Sequence, residues 1–253
     1  MVNTVNWNQS FTAAPTRAKW FVTELLNRLP ALTGRPRLDV LDLGCGTGAL
    51  ALQLVESCPN AHVTGVDIST VSIEQAIRES DASPHRDRLR FLAQDYMESD
   101  LGRFDVVYAD GCLHLIPQSN DLLFAKLADG LKPGGFLVFS MPKLSPYNRC
   151  LGIVRRCLRL TRSRLTDRMI LMIARLLHGR EKTDSFLLER VHYMYFLPHR
   201  VMDSAMERVL DEQFDLHCQG AHPYPHASIG QFKHGLWVFQ KGQSSGLVDA
   251  KAA

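Results

Sequence analysis

Three glycines set two residues apart in Asp42-Leu-Gly44-Cys45-Gly46-Thr-Gly48 form the strongest chemical signal in this sequence. Glycine has no Cβ, so such a string lets the main chain turn sharply and press against a bound ligand. It stands where an apolar strand pattern, Leu38 to Leu43, gives way at once to a helical one from Ala49. Gly44, Gly46 and Ala49 also satisfy the dinucleotide spacing G-x-G-x-x-[GA], with Asp67 lying 19 residues after Gly48. Taken alone, the string fits either class of nucleoside cofactor, or a tight turn. His114, in Tyr108-Ala-Asp-Gly-Cys-Leu-His114, is the candidate general base; a packed or hydrogen-bonded imidazole is the bland alternative. Cysteines 45, 58, 112, 150, 157 and 218 contain no C-x-x-C pair, so reduced thiols are expected, with neither zinc nor disulfides. His222 and His226 read H-x-x-x-H in a Pro-rich stretch without a clear third ligand, and no metal site is expected.

The elements that must position these groups alternate regularly. A helix is predicted from Thr16 to Leu29, then strand Leu38–Leu43, helix Ala49–Glu56, strand His62–Val66 ending at Asp67, and helix Val71–Glu79 with Ser69 and Thr70 as cap candidates. Leu89–Ala93, Phe104–Ala109 and Phe136–Ser140 read as strands three to five, with helix Asp121–Leu131 before the fifth and Lys132-Pro-Gly-Gly135 as a structural turn into it. Such alternation implies a parallel sheet wrapped by helices on both faces, with the ligand crevice beyond the C-terminal strand ends. A helix is expected from about Pro198 through Leu210, followed by strands Phe214–Cys218 and Leu236–Lys241. Residues 220–233 between these strands hold two prolines and two glycines and cannot supply a crossover helix, so the two strands should pair antiparallel.

With its acidic residue before G-x-G-x-G, the string Asp42 to Gly48 resembles the first motif of the class I S-adenosylmethionine-dependent methyltransferases. The resemblance extends to Asp67, to Asp95 after strand three, to Leu131-Lys-Pro-Gly-Gly135 and to the closing antiparallel hairpin, and so covers about Leu38 to Lys241. It implies an α/β, Rossmann-like, seven-stranded and mostly parallel sheet with an antiparallel last strand, and S-adenosyl-L-methionine as cofactor. It further implies that Asp67 holds the ribose hydroxyls and Asp95, preceded by Gln94, meets the adenine amine, with Ile68 and Tyr96 sandwiching the purine. Asp42, Gly44, Cys45, Gly46 and Gly48 would surround the amino-acid end, and Asp110 and Gly111 would line the pocket. Ala109 to Pro117, with Trp7 and Arg17, is similar to the small-molecule carboxyl methyltransferases of the trans-aconitate methyltransferase group. That similarity implies a small acceptor, methylated at oxygen, as carboxylate or hydroxyl. The rival readings are a lipid-like or carrier-bound acceptor, a nicotinamide-dependent oxidoreductase, and a catalytically silent cofactor-binding protein.

An insertion after strand five sits above the crevice in this topology, so residues 143–197 are expected to form a helical lid. The other expected units are an N-terminal helical cap (1–35), a core (36–142 and 198–242) and a disordered tail (243–253). Substrate candidates are Trp7, Phe11, Arg17, Tyr147, His192, Tyr193, Tyr195, His222 and Tyr224. Residues 143–180 carry Lys143 and nine arginines against Asp167 alone, a net +9, which leaves −6 for the remainder of a chain of net +3. Met169, Met172, Ile173, Leu176 and Leu177 follow helical spacing, and Leu151, Val154 and Leu158 form a similar stripe. The simplest expectation packs these stripes against the core and leaves the arginines as a solvated face. Attraction of an anionic substrate, an acidic carrier protein or a membrane surface through residues 149–180 stays open, and nucleic acid is disfavoured because no aromatic residues interleave with the arginines. With 253 residues, 45% hydrophobic and 22% charged, the composition is that of a globular chain able to bury a full core. The longest apolar run, Met169 to Ala174, is far short of a bilayer span, and Met1 to Pro15 lacks a signal-peptide pattern, so a cytoplasmic enzyme is expected.

Overall fold

The computed structural model describes residues 13–29, 34–178, 191, 194–220 and 231–242. Seven strands form one sheet: β1 (Leu38–Leu43), β2 (Ala61–Asp67), β3 (Leu89–Ala93), β4 (Phe104–Asp110), β5 (Leu131–Pro142), β6 (Asp215–Gly220) and β7 (His234–Gln240). Their order is β3-β2-β1-β4-β5-β7-β6. Pairing is parallel from β3 through β5, while β7 runs antiparallel to both of its neighbours. The last two strands pair antiparallel, as the sequence required.

Strand residues alternate between two cores, which is why helices must cover both faces. On one face Val40, Val63, Val106, Tyr108 and Val138 pack with Phe21, Val22 and Leu25 of α1 (Pro15–Arg28), Leu50 and Leu54 of α2 (Ala49–Ser57) and Ile73 of α3 (Thr70–Asp81). On the other, Leu41, Val107, Leu137, Phe139 and Phe239 meet Leu123, Phe124 and Leu127 of α4 (Asn120–Asp129) and Met206 and Leu210 of α7 (Ser204–Asp211). Each such fully buried side chain contributes about 1.5–3 kcal/mol. Lys132 joins the N-terminal ends of β1 and β4 through Asp39 (2.8 Å) and Asp105 (2.9 Å).

Three expectations need correction. Lys132-Pro-Gly-Gly135 is not a turn before the fifth strand: β5 begins at Leu131, opposite Phe104, and absorbs the irregularity as a register shift. The helix expected near Pro198 starts only at Ser204, because Met202 bonds alongside Pro142 and Leu144 in extended conformation and Asp203 then caps the amides of Ala205 and Met206. The third correction concerns the insertion. Its helices α5 (Pro146–Leu160) and α6 (Arg164–His178) form as the pattern predicts, but Met169, Met172, Ile173 and Leu176 of the α6 stripe face outward, and of the α5 stripe Leu151 is buried, Leu158 half-buried and Val154 exposed. The contacts that hold α5 in place are Leu151, Asn148 and Arg155, all buried. Asn148 accepts from the Lys233 amide at 2.8 Å and donates to the carbonyls of Lys143 and Lys233, and Arg155 donates to the Phe196 carbonyl at 3.0 Å with its guanidinium 4.5 Å from the Phe232 ring. Arg155 is therefore not part of a solvated face.

Candidate active site

Three carboxylates end three neighbouring strands: Asp42 in β1, Asp67 closing β2 and Asp110 closing β4. Between the first two lies the glycine loop. Gly44 has φ 71° and an added Cβ there would stand 2.6 Å from Cys112 Cβ; Gly48, at φ 80°, opens α2 with Phe91 directly beneath it. A side chain at either position would run into these packed neighbours and sit at a positive φ, which is the sequence requirement for glycine. The Asp67 carboxylate braces the loop, accepting from the Gly46 amide at 2.9 Å and the Ser69 amide at 2.8 Å. Burial raises its pKa, against the opposing pull of the Ser69, Gly46 and Ile68 amides.

Asp42 is enclosed, and its Oδ2 finds no hydrogen-bond donor among the described residues. Burial pushes its pKa up to about 8; the Tyr108 hydroxyl opposes that push, and the charges of Asp110 and Asp67 add to it. A buried carboxylate with one oxygen left without a donor is costly to ionise, and a cation nearby would relieve it. The loop and this acceptor therefore fit a ligand with a ribose diol and a positively charged amino-acid end. The thiols of Cys45 and Cys112 are driven well up by burial and by Asp42 and Asp67, so neither is a thiolate nucleophile.

The adenine-side candidates separate. Asp95 is exposed, its Oδ1 accepting from the Met97 amide at 2.8 Å, and Ile68 is 48% exposed beside the loop. Tyr96, in contrast, is buried in the core beneath α4, with its hydroxyl donating to the Lys126 carbonyl, and it cannot sandwich a purine. Gln94 borders a recess of about 460 Å³ walled by Arg37, Asp39, His62 and Arg90, which no residue of the glycine loop lines. None of Asp42, Asp67, Asp110 and the motif glycines lines that recess, whose acids are Asp39, Asp87 and Asp100.

Where β4, β5 and β7 meet, a second polar cluster gathers. Arg17 holds Asp110 with two bonds of 2.8 and 3.0 Å, Ser140 Oγ donates to Asp110 Oδ1 at 2.6 Å, and His234 Nδ1 lies 3.4 Å from the same hydroxyl. Gly111, at φ 70°, passes beneath Arg17, whose Nη2 would be 3.0 Å from an added Cβ. His114 sits edge-on to His234 with ring centroids 5.1 Å apart and Phe196 on its other side. It is buried, and neither ring nitrogen has a hydrogen-bond partner among the described residues. Burial, His234 and the surrounding arginines Arg200, Arg155 and Arg17 hold its pKa well below the ordinary value; burial and Arg17 bring His234 down to about 3. Both imidazoles are neutral and poorly basic. Arg17, expected to meet substrate, is thus committed to Asp110.

Of the lid candidates, Tyr195 is buried and donates its hydroxyl to Asp167 Oδ1 at 2.6 Å beneath Arg162, which makes it a clasp between α6 and the returning chain and not a substrate contact. Tyr147 lies at the start of α5 with Lys233 Nζ 4.7 Å over its ring. Trp7, Phe11, His192, Tyr193, His222 and Tyr224 lie outside the described residues. Sequence reading missed His234, Ser140 and Arg200. Arg200, buried, donates to Asn120 Oδ1 at 3.0 Å and to the carbonyls of Leu113 and Gln118, fixing the segment that carries His114. A polar residue in an otherwise apolar strand was the available signal for Ser140 and His234; nothing local marked Arg200.

Residues 40–135 match a family model described as a methyltransferase domain. The chain is similar to a trans-aconitate 2-methyltransferase of Deinococcus radiodurans, 37% identical over 108 residues, 43% of this chain and 39% of that protein. It is also similar to a malonyl-[acyl-carrier protein] O-methyltransferase of Acetivibrio thermocellus, 35% identical over 112 residues, 43% of this chain and 37% of that one. The chain thus spans well under two thirds of the curated relatives it matches. Among solved structures, magnesium protoporphyrin IX methyltransferase from Synechocystis with bound S-adenosylhomocysteine aligns at TM-score 0.58 and 17% identity, covering 93% of this chain and 91% of the other. The N-methyltransferase NodS from Bradyrhizobium japonicum aligns at 0.56 and 16%, covering 90% and 97%. At such identities the likeness establishes the fold. The family match, over about two fifths of the chain, includes the glycine motif, and the fold it accompanies is that of the aligned methyltransferase structures.

Proposed function

We propose that this chain transfers the methyl group of S-adenosylmethionine to an oxygen of a small molecule, with a carboxylate as acceptor. When bound, the cofactor supplies an electrophilic methyl group on a sulfonium. Asp67 takes the ribose hydroxyls with the acceptor capacity that the Gly46, Ser69 and Ile68 amides leave to it. Asp95 accepts the exocyclic amine, Ile68 covers one face of the purine, and Asp42 faces the ammonium across the glycine loop. Asp110, locked by Arg17 and Ser140, forms the wall on the methyl side with Gly111. The sequence relatives that methylate carboxyl groups, by their names, support the acceptor class.

The observation that carries the choice of carboxylate is the state of the imidazoles. His114 and His234 are neutral and held at depressed pKa, so neither is tuned to strip a proton from a hydroxyl near neutral pH. A carboxylate acceptor is ionised already and needs only alignment and exclusion of water. Incubation with methyl-labelled S-adenosylmethionine and a panel of carboxylic acids, phenols and amines tests this: base-stable label in amines or phenols alone overturns it. At a hundredfold excess over its Kd, S-adenosylhomocysteine should stabilise the fold by about 2.7 kcal/mol, and stabilisation by NAD or NADP in its place would point to the oxidoreductase reading.

A further inference from the structure

Nine of the thirteen large hydrophobic side chains that stand exposed among the described residues fall between Leu144 and Leu176. On α6 they are Leu165, Met169, Met172, Ile173 and Leu176, which at helical spacing fall within roughly 100° of arc. On α5, Ile153, Val154 and Leu160 share a stripe with the exposed thiols Cys150 and Cys157. Leu160 and Leu176 are 82% and 86% exposed, more than an isolated surface leucine would need to be. Exposed arginines 149, 156 and 159 on α5, 162 in the turn, and 164, 168 and 175 on α6 accompany these stripes, while the only acid of the segment, Asp167, is turned inward to Tyr195.

An apolar stripe bordered by arginines is the pattern of a helix that lies in the plane of a lipid headgroup layer, its apolar side sunk about 5–10 Å. A second copy of this chain is a poor occupant, because facing two such surfaces would set arginine against arginine. The side chains are exposed along the helices, a fluid apolar phase accepts them without shape complementarity, and the net positive charge selects an anionic one. We propose that the successive helices α5 and α6 dock this protein on the surface of an anionic lipid bilayer. Since α5 follows directly from the C-terminal end of β5, docking would hold the mouth of the crevice at the lipid surface. The docking itself does not depend on methyl transfer.

Co-sedimentation of the full chain with phosphatidylcholine vesicles, with or without phosphatidylglycerol, tests the proposal in the absence of cofactor. The protein should pellet with the anionic vesicles at low salt and be released by roughly 1 M salt, where screening shortens the electrostatic reach to about 3 Å. Each of Arg149, Arg156, Arg159 and Arg168 replaced by Gln should lower partitioning about fivefold. Met172→Glu with Leu176→Glu should abolish it, while far-UV circular dichroism and S-adenosylhomocysteine binding stay intact. Water-soluble maleimide should label Cys150 and Cys157 more slowly on the anionic vesicles than in buffer. The proposal is overturned if the wild-type chain stays in the supernatant, or if the double glutamate variant pellets as well as wild type. It is equally overturned if that variant only dissolves a dimer seen by sedimentation velocity, or if an acidic carrier protein is bound through this face and vesicles are not.

Discussion

Replacing Asp42 by Asn should flatten the pH dependence of stability between pH 7 and 9. In the folded chain its carboxyl is pushed up to about 8, from 3.8 in the free side chain. The folded state therefore favours the protonated form, and the unfolded state is already ionised across this window. A group raised in this way contributes stability at low pH that disappears as pH climbs through its folded value. For a shift to about 8, the loss between pH 7 and 9 is about 1.4 kcal/mol, or about 3–5 °C in Tm for a chain of this size. The buried imidazoles of His114 and His234 act in the opposite sense, costing stability below their unfolded pKa of about 6.5, and have little left to give above pH 7. Thiols titrating in the unfolded state add a loss near pH 9 common to both proteins, so the quantity to compare is the difference between the wild-type and Asp42→Asn slopes. Urea unfolding at pH 7, 8 and 9 measures it. Equal slopes would show that Asp42 is ionised throughout and that its burial is relieved by a donor, which would remove the argument that this site awaits a cation.

Asp67→Asn keeps the shape but not the charge of the loop brace, and S-adenosylhomocysteine affinity by calorimetry should fall on the order of ten- to a hundredfold. Gly44→Ala sets a Cβ 2.6 Å from that of Cys112 at φ 71°, and should cost about 2 kcal/mol or more in urea unfolding; Cys112→Gly should restore the part due to the clash. Arg155→Gln should destabilise by about 2–3 kcal/mol, since it strips the Phe196 carbonyl of its donor, whereas Arg156→Gln and Arg159→Gln should stay within about 0.5 kcal/mol of wild type in the same assay.

The glycine loop, the carboxylate tips of β1 and β2 and the strand–helix alternation were all legible in the sequence, because each is a local device: a positive φ, a residue ending a strand, a hydrophobic period. The antiparallel ending was legible for a related reason, since a connection rich in proline and glycine cannot supply a crossover helix. The acceptor side was less so. Arg17 reads as a substrate contact until the fold brings it 93 positions along the chain to Asp110, and Tyr96 reads as a purine platform until α4 covers it. Which way the α5 and α6 stripes face was also undecided by their periodicity, which fixes an amphipathic helix but not its partner.

By itself, then, the sequence determined where the chain turns, which faces are apolar and which motif could hold a nucleoside, since these depend on residues a few positions apart. Only the tertiary structure decided the rest: that Arg155 is an internal anchor, that His114 and His234 are shut in together and stripped of basicity, and that α6 presents its apolar stripe outward. These properties arise from burial and from charges brought together across the sheet, and both are set by the packing of distant segments, which no local spacing encodes.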